Sequence, residues 1–262
     1  MMKKKVTNVL VIMLLLLTAS SFGVFAQAAH ELAENPEPAG PVAVASTSWV
    51  AAMAEAAGLK QVTVLAPVEL KHPPEYDFRP SDVMRAATAD IVLWAGYEAF
   101  VKELVAAADI DAEKIILVST NNAPDVLRKS VGALAESLGT KEAYAVWTRQ
   151  LTEFEQEALT LAKQHQTDKI RVAVQFHHQQ FARWLGYDVV SVFGPNELTI
   201  GQLQDIESKN PSLIIDNWHN PSGQMLATNH RTYVQLINFP GLGETKSLLD
   251  VLRYNIRLLG LY

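Results

Sequence analysis

Short apolar runs alternate with helix-like segments along most of this 262-residue chain, and this alternation limits the fold more than any other feature. The runs are rich in valine, isoleucine and leucine, and a segment with helical spacing of apolar residues follows nearly every one. They cover residues 42–47, 62–70, 91–96 and 114–120 in the first half and 170–176, 188–194, 213–218 and 233–239 in the second. Such units form parallel sheets with right-handed crossovers. We therefore predict an α/β fold of two lobes, each with four β-α units and a parallel sheet.

A long polar segment, residues 140–166, separates the two halves and contains neither proline nor glycine. Its thin apolar stripe consists of Leu151, Phe154, Leu159 and Leu161. This pattern predicts a long helix that lies across other elements and is exposed on one side. The predicted organisation is an N-terminal lobe over 29–139, a linking helix over 140–166 and a C-terminal lobe over 167–262. In the third unit of the second half, Asn220 and Pro221 predict the start of a helix.

The N-terminus, residues 1–28, has the pattern of a secretory signal peptide. Lysines 3 to 5 precede a short apolar run, and Ala26-Gln27-Ala28 matches the small-residue cleavage pattern. The alternative is a membrane anchor, but the run is shorter than the about 20 residues that a spanning helix needs. The chain has no cysteine, which excludes disulfides, zinc–thiolate sites and the lipid anchor of bacterial lipoproteins. We therefore expect a soluble, monomeric protein in a bacterial periplasm.

Composition and motifs exclude several function classes. With 49% hydrophobic and 19% charged residues, the chain has the composition of a globular protein. Its net charge is −6, and outside the extreme N-terminus it has no basic stripe, so we expect no nucleic-acid partner. It contains no His-Glu-x-x-His, Gly-x-Ser-x-Gly or Gly-x-Gly-x-x-Gly motif. The chain is therefore not expected to be an enzyme.

Histidines stand where three of the apolar runs end: His72 in the first half, and His177, His178 and His219 in the second. In an open parallel sheet, ligands bind outside the carboxyl ends of the strands. Neutral imidazole is the commonest protein ligand for metals. We predict that His72, His178 and His219 hold one zinc ion between the lobes, with His177 as the substitute if His178 points away. By contrast, we expect His165, at the end of the polar helix, to be solvated.

Carboxylates near these histidines are candidates for a further oxygen ligand or for an acceptor that orients an imidazole: Glu75, Glu98 and Asp216. Each of these has a structural alternative as a surface carboxylate or a cap. The histidines have alternatives too. If they do not bind a metal, His72 is a solvated loop residue and His219 hydrogen-bonds a loop carbonyl. Of the adjacent pair His177 and His178, one then caps a helix and the other is exposed.

Residues 75–100 read EYDFRPSDVMRAATADIVLWAGYEAF. This stretch resembles the solute-binding proteins of zinc and manganese ABC importers, where the family has His-x-Tyr, Pro-Ser-Asp, Ala-Asp-Leu-Val, Asn-Gly and Glu. The second stretch is the final SLLDVLRYNI, and the resemblance covers nearly the whole mature chain. It implies a rigid linking helix, a metal held between the lobes and delivery of that metal to a membrane permease.

The chain departs from the family pattern at several ligand positions. Pro74 stands where the family has its first ligand histidine, two residues after His72. Residues 119–126, STNNAPDV, contain no histidine where the second is expected. His178 matches the third position, and Asn238 replaces the carboxylate that is usual at the last. The resemblance therefore implies a rebuilt or lost metal site on the same fold.

Three functions remain open from the sequence. The leading hypothesis is a metal-binding component of an ABC importer, with zinc ahead of manganese because imidazole ligands favour zinc and manganese prefers more carboxylate oxygen. The second is a zinc-dependent hydrolase, since three histidines and an open water position also hold catalytic zinc. The third is a metal-free binding or interaction protein on the same fold.

Overall fold

The computed structural model of the chain describes residues 40–228 and 230–262. The predicted signal peptide, residues 1–28, lies outside the described residues. Among the helices in the described ranges, none combines the length and the apolar character needed to cross a membrane.

The first lobe is a four-stranded parallel sheet in which the strands alternate with helices. Its elements are β1 (Val42–Ala45), α1 (Ser48–Ala56), β2 (Gln61–Val64), α2 (Pro80–Thr88), β3 (Ile91–Trp94), α3 (Ala99–Ala107), β4 (Ile115–Leu117) and α4 (Pro124–Leu138). The strand order is β2-β1-β3-β4, and every neighbouring pair is parallel. The central strand β1 is buried from Ala43 onward, as a sheet covered on both faces requires.

The second lobe repeats this architecture. Its elements are β5 (Arg171–Gln175), α6 (Gln179–Trp184), β6 (Asp188–Phe193), α7 (Ile200–Ser208), β7 (Leu213–Asn217), β8 (Thr232–Leu236) and α8 (Leu248–Leu258), and the linking helix before them is α5 (Lys141–Gln164). The strands are parallel in the order β6-β5-β7-β8, which is the order of the first lobe. The predicted fold class, α/β with two four-stranded parallel sheets, is confirmed.

One predicted helix is absent from the described residues between β7 and β8. Instead of the helix expected at Asn220 and Pro221, β7 is followed by a loop and a single 3-10 turn, Gln224–Leu226. The Asp216 carboxylate accepts hydrogen bonds from backbone N–H groups of that loop and fixes it in a non-helical path. Gly223 also lies so close to the Phe193 ring that an added Cβ would come within 2.5 Å of it.

The linking helix α5 buries a stripe with helical spacing. Its buried residues are Trp147, Leu151, Phe154, Ala158 and Ala162. Leu151 and Phe154 were predicted, but Leu159 lies off this stripe and is 44% exposed. The buried alanines continue this stripe to the C-terminal end of the helix.

The two lobes share a hydrophobic core around α5. Helices α1 and α8, one from each lobe, pack against each other, and both contact α5. The largest buried apolar cluster accordingly contains residues of both sheets, such as Ala45 and Val174. Close to the cleft, the Ser48 hydroxyl donates a buried 2.9 Å hydrogen bond to the Pro240 carbonyl across the lobes.

Candidate functional site

The cleft between the lobes lies at the carboxyl ends of both sheets. In each sheet, successive connections run to opposite sides of the first strand, so a crevice opens between β1 and β3 and between β5 and β7. Residues that follow these strands line a cavity of about 610 Å³. Its aromatic residues are Trp49, Tyr97, Phe176 and Phe239, its amides are Asn121, Asn122, Asn217, Asn220 and Asn238, and its imidazoles are His72, His177 and His219.

His72 comes from the loop between β2 and α2. Its Nδ1 lies 3.0 Å from Oε1 of Glu75, and both residues line the cleft. A short 3-10 turn, Pro73–Glu75, creates this contact by bringing the carboxylate back toward the imidazole. A carboxylate on Nδ1 fixes the tautomer in which Nε2 keeps its lone pair, and carboxylates orient metal-binding histidines in this way.

His177 is the second imidazole of the cleft wall, and it follows β5 in the second lobe. The Gln175 side chain accepts a hydrogen bond from its backbone N–H and fixes the turn that carries it. Burial lowers the pKa of His177, and the charge of His72 lowers it further. His72, from the first lobe, and His177, from the second, therefore line the same cleft.

His178 is not among the residues that line the cleft, and it is completely buried. Its Nδ1 lies 3.0 Å from Nδ2 of Asn122, an amide of the first lobe, and its Nε2 makes no hydrogen bond to the described residues. Burial first, and then the charges of His177 and His219, lower the pKa of His178 to about 3, although the Leu236 backbone acts in the opposite direction. The neutral imidazole joins the two lobes behind the site.

His219 lines the cleft beyond β7 and is only 5% exposed. Its ring lies edge-on between Trp218 and Phe239, with centroids 4.9 and 4.8 Å away. Its Nδ1 accepts a hydrogen bond from the Asn238 backbone N–H at 3.2 Å. Burial, followed by the charges of His72 and Lys71, lowers the pKa of His219 to about 4, so the ring is neutral. A neutral imidazole that accepts on Nδ1 carries its proton on Nε2.

The predicted histidines therefore reach one region, but they differ in role. His72, His177 and His219 line the cleft, and His178 lies behind it. No group of three or more histidine, cysteine, aspartate or glutamate side chains in the described ranges is arranged to hold a metal ion. His165, expected to be solvated, is exposed at the end of α5.

Of the three candidate carboxylates, only Glu75 lines the cleft. Glu98 is fully buried and accepts hydrogen bonds from the Ser46 hydroxyl and the Ala95 backbone. Asp216 is also fully buried, and it accepts from the Tyr233 hydroxyl as well as from the loop after β7. These two carboxylates support the strand ends that carry the cleft residues.

The family-like motif in residues 75–100 is largely structural. The Tyr76 hydroxyl donates to Asp82 at 2.8 Å, and the Arg79 backbone N–H donates to the same carboxylate. Asp82 is 2% exposed, and it also pairs with Arg85 at 3.0 Å. This network fixes the start of α2 and the loop that carries His72.

The amides of the cleft were not predicted as a group. Asn121 and Asn122 follow β4, and Asn238 follows β8, so both sites are strand ends that face the cleft. Their signal was present, since these are the positions where the family pattern predicts a histidine and a carboxylate. What the sequence did not reveal is that Asn122 contacts His178.

No protein-family model matches this chain. No curated protein matches it either.

Solved structures with the same architecture do match. The periplasmic zinc-binding protein TroA from Treponema pallidum is 15% identical, with a TM-score of 0.65 over 84% of this chain and 98% of that one. FpvC from Pseudomonas aeruginosa, solved with Mn²⁺, is 15% identical, with a TM-score of 0.67 over 85% and 98%. A Mn-bound periplasmic metal-binding protein from Candidatus Liberibacter asiaticus is 17% identical, with a TM-score of 0.60 over 85% and 100%. The chain therefore has the two-lobe fold of the periplasmic metal-binding proteins, as its sequence resemblance predicted.

Proposed function

We propose that this protein is the periplasmic solute-binding component of an ABC importer. It binds a divalent transition metal between its lobes and delivers it to a permease in the inner membrane. The fold shared with periplasmic zinc- and manganese-binding proteins supports this proposal. The signal-peptide pattern of residues 1–28 supports export, and intact-mass measurement of exported protein should show cleavage near Ala26 or Ala28.

One observation carries the proposal: His72 and His177 come from opposite lobes and line the same cleft. His72 is already oriented by Glu75, which leaves its Nε2 free to bind a metal. We assign the direct metal contacts to these two imidazoles. His178 stabilises the second lobe's side of the site from behind.

Zinc is the preferred metal and manganese the second choice. Among the described lining residues, the nitrogen ligands available to a metal are imidazoles, and Glu75 supplies the one carboxylate. Zinc accepts such nitrogen-rich sites, whereas manganese prefers oxygen ligands.

A thermal-shift titration with zinc chloride tests this assignment. Zinc should raise the melting temperature of the chelator-treated protein, because it binds only the folded state. His72→Ala and His177→Ala should each remove most of that shift. His165→Ala removes an exposed histidine outside the cleft, and it should leave the shift intact. If both cleft variants keep the full shift, the metal does not bind here.

A second candidate function is a binding protein for a metal-free small molecule. It is favoured by the amides that stand at two expected ligand positions, Asn122 and Asn238. Elemental analysis of protein purified without an affinity tag separates the two functions, because only the metal-binding protein should retain zinc or manganese. A catalytic role is not proposed, and absence of turnover on ester and phosphoester substrates checks this.

A further inference from the structure

We propose that the cargo is not a bare ion but a metal complexed by a small organic molecule that carries carboxylate groups. This inference rests on the proposed function and specifies its substrate. Four features of the cleft support it: its volume, the number of its available metal ligands, the hydrogen-bonding groups on its wall and its shortage of negative charge.

The cavity is far larger than one metal ion needs. Its volume is about 610 Å³, whereas a water molecule occupies about 30 Å³ in the liquid. Pockets of about 300–1,000 Å³ are those that enclose small organic ligands. The rings of Trp49, Phe176 and Phe239 supply apolar wall for a carbon skeleton.

The histidine and carboxylate side chains of the described ranges offer too few metal ligands to complete a coordination sphere. Nδ1 of His219 already accepts the Asn238 N–H, so its Nε2 carries a proton and cannot bind a metal in this arrangement. His178 is buried behind the wall. Across the described ranges no group of three metal-binding side chains forms. His72 and His177 therefore supply two imidazole ligands, and we assign the remaining ones to a molecule that arrives with the metal.

The cleft wall carries several hydrogen-bond donors, whereas a site for a bare cation would be expected to carry carboxylates instead. Asn121 Oδ1 accepts the Ala123 N–H and Asn217 Oδ1 accepts the His219 N–H, so the two NH₂ groups are the free ends of these side chains. Neither NH₂ group makes a hydrogen bond to the described residues, and both side chains line the cleft. Together with Nε2–H of His219, they form a set of donors that matches carboxylate oxygens.

Charge leads to the same conclusion. A divalent ion between neutral imidazoles needs compensating negative charge when it leaves water. Glu75 is the one carboxylate among the described lining residues, and it already contacts His72. A chelator with carboxylates brings its own compensating charge into the cleft.

A titration at constant total zinc separates chelate from free ion. Chelator-free protein receives zinc chloride, and citrate or histidine is then added in steps, so that free zinc falls while the zinc complex rises. Binding, measured by calorimetry and by melting temperature, should follow the concentration of a complex, and citrate or histidine without zinc should bind much more weakly. If binding falls with free zinc in both series, the inference is wrong and the metal-binding function stands. If no zinc species binds at all, the proposed function itself fails.

Asn121→Asp should affect binding of the zinc complex and binding of free zinc differently. The substitution keeps the oxygen that accepts the Ala123 N–H, but it replaces the free NH₂ with a charged oxygen. Binding of the zinc complex should weaken about tenfold through like-charge repulsion, while binding of free zinc should not weaken. Asn210→Asp makes the same change at an exposed site outside the cleft and should affect neither. An Asn121→Asp protein that binds the complex as tightly as the parent would overturn the inference.

Discussion

Nδ2 of Asn122 lies 3.0 Å from Nδ1 of His178, so an amide of the first lobe meets a fully buried imidazole of the second. Asn122→Ala should destabilise the protein by about 1–3 kcal/mol, because it leaves a buried polar nitrogen without its partner. Urea denaturation measures the change. In a His178→Ala background the same substitution should cost less, and equal costs in both backgrounds would show that the contact contributes nothing.

The metal-free protein should lose stability as the pH falls below about 6.5, the ordinary histidine value. In the folded state the pKa values of His178 and His219 are lowered to about 3 and about 4, so between these values and 6.5 the unfolded chain binds protons that the folded chain does not. Each such histidine removes up to about 1.4 kcal/mol of unfolding free energy per pH unit in that window. Urea denaturation in the presence of a chelator at pH 7, 6 and 5 measures the slope.

Carboxylates also titrate toward the lower end of this range, so a variant isolates the histidine contribution. His178→Gln retains a hydrogen-bonding side chain beside Asn122 but removes one titrating group. Its stability should depend less steeply on pH than that of the parent protein. Identical slopes would show that His178 is not neutral and buried in the folded state.

Glu75→Gln should weaken zinc binding about tenfold or more, because it removes the carboxylate that orients His72. The Glu75 side chain is 77% exposed, so the fold should be unaffected. Calorimetric titration measures the affinity. Glu69→Gln makes the same charge change on an exposed residue nearby and should bind zinc normally. Equal losses in both variants would indicate a general charge effect rather than orientation of His72.

Asp216→Asn should cost at least about 2 kcal/mol of stability, because the new NH₂ group faces buried donors. The Asp216 carboxylate accepts from the Gly223 N–H at 2.8 Å and from the Tyr233 hydroxyl at 2.7 Å. Asp205→Asn breaks an exposed pair with Lys209 and should cost less than about 1 kcal/mol. Chemical denaturation of the two variants compares them, and similar costs would contradict the structural role of Asp216.

Ligand binding should change the shape of the protein little. Helices α1, α5 and α8 pack together, and one apolar core extends through both lobes, so closure would have to separate buried contacts. Small-angle scattering curves of the metal-free and zinc-loaded protein should nearly superimpose. A clear compaction on binding would show that the lobes are hinged.

The sequence by itself determined the architecture. Runs such as VAVA at 42–45 and LII at 213–215 form parallel strands because helices cover both faces of such a sheet. A strand in it therefore needs apolar side chains on both faces, which a continuous apolar run provides. Within the segment 140–166, Lys141–Gln164 forms a helix because it contains no proline or glycine and has helical apolar spacing. These patterns are local, so they predict the element without knowledge of the rest of the chain.

Only the tertiary structure decided the roles of the cleft residues. The adjacent histidines His177 and His178 follow the same strand, and the sequence favoured His178 as the ligand, yet His177 lines the cleft and His178 contacts Asn122 from the opposite lobe. The Asn238 backbone, in the loop after the neighbouring strand, fixes the tautomer of His219. Side-chain direction and proton position at a strand end depend on groups distant in sequence, and no local pattern encodes which groups will arrive there.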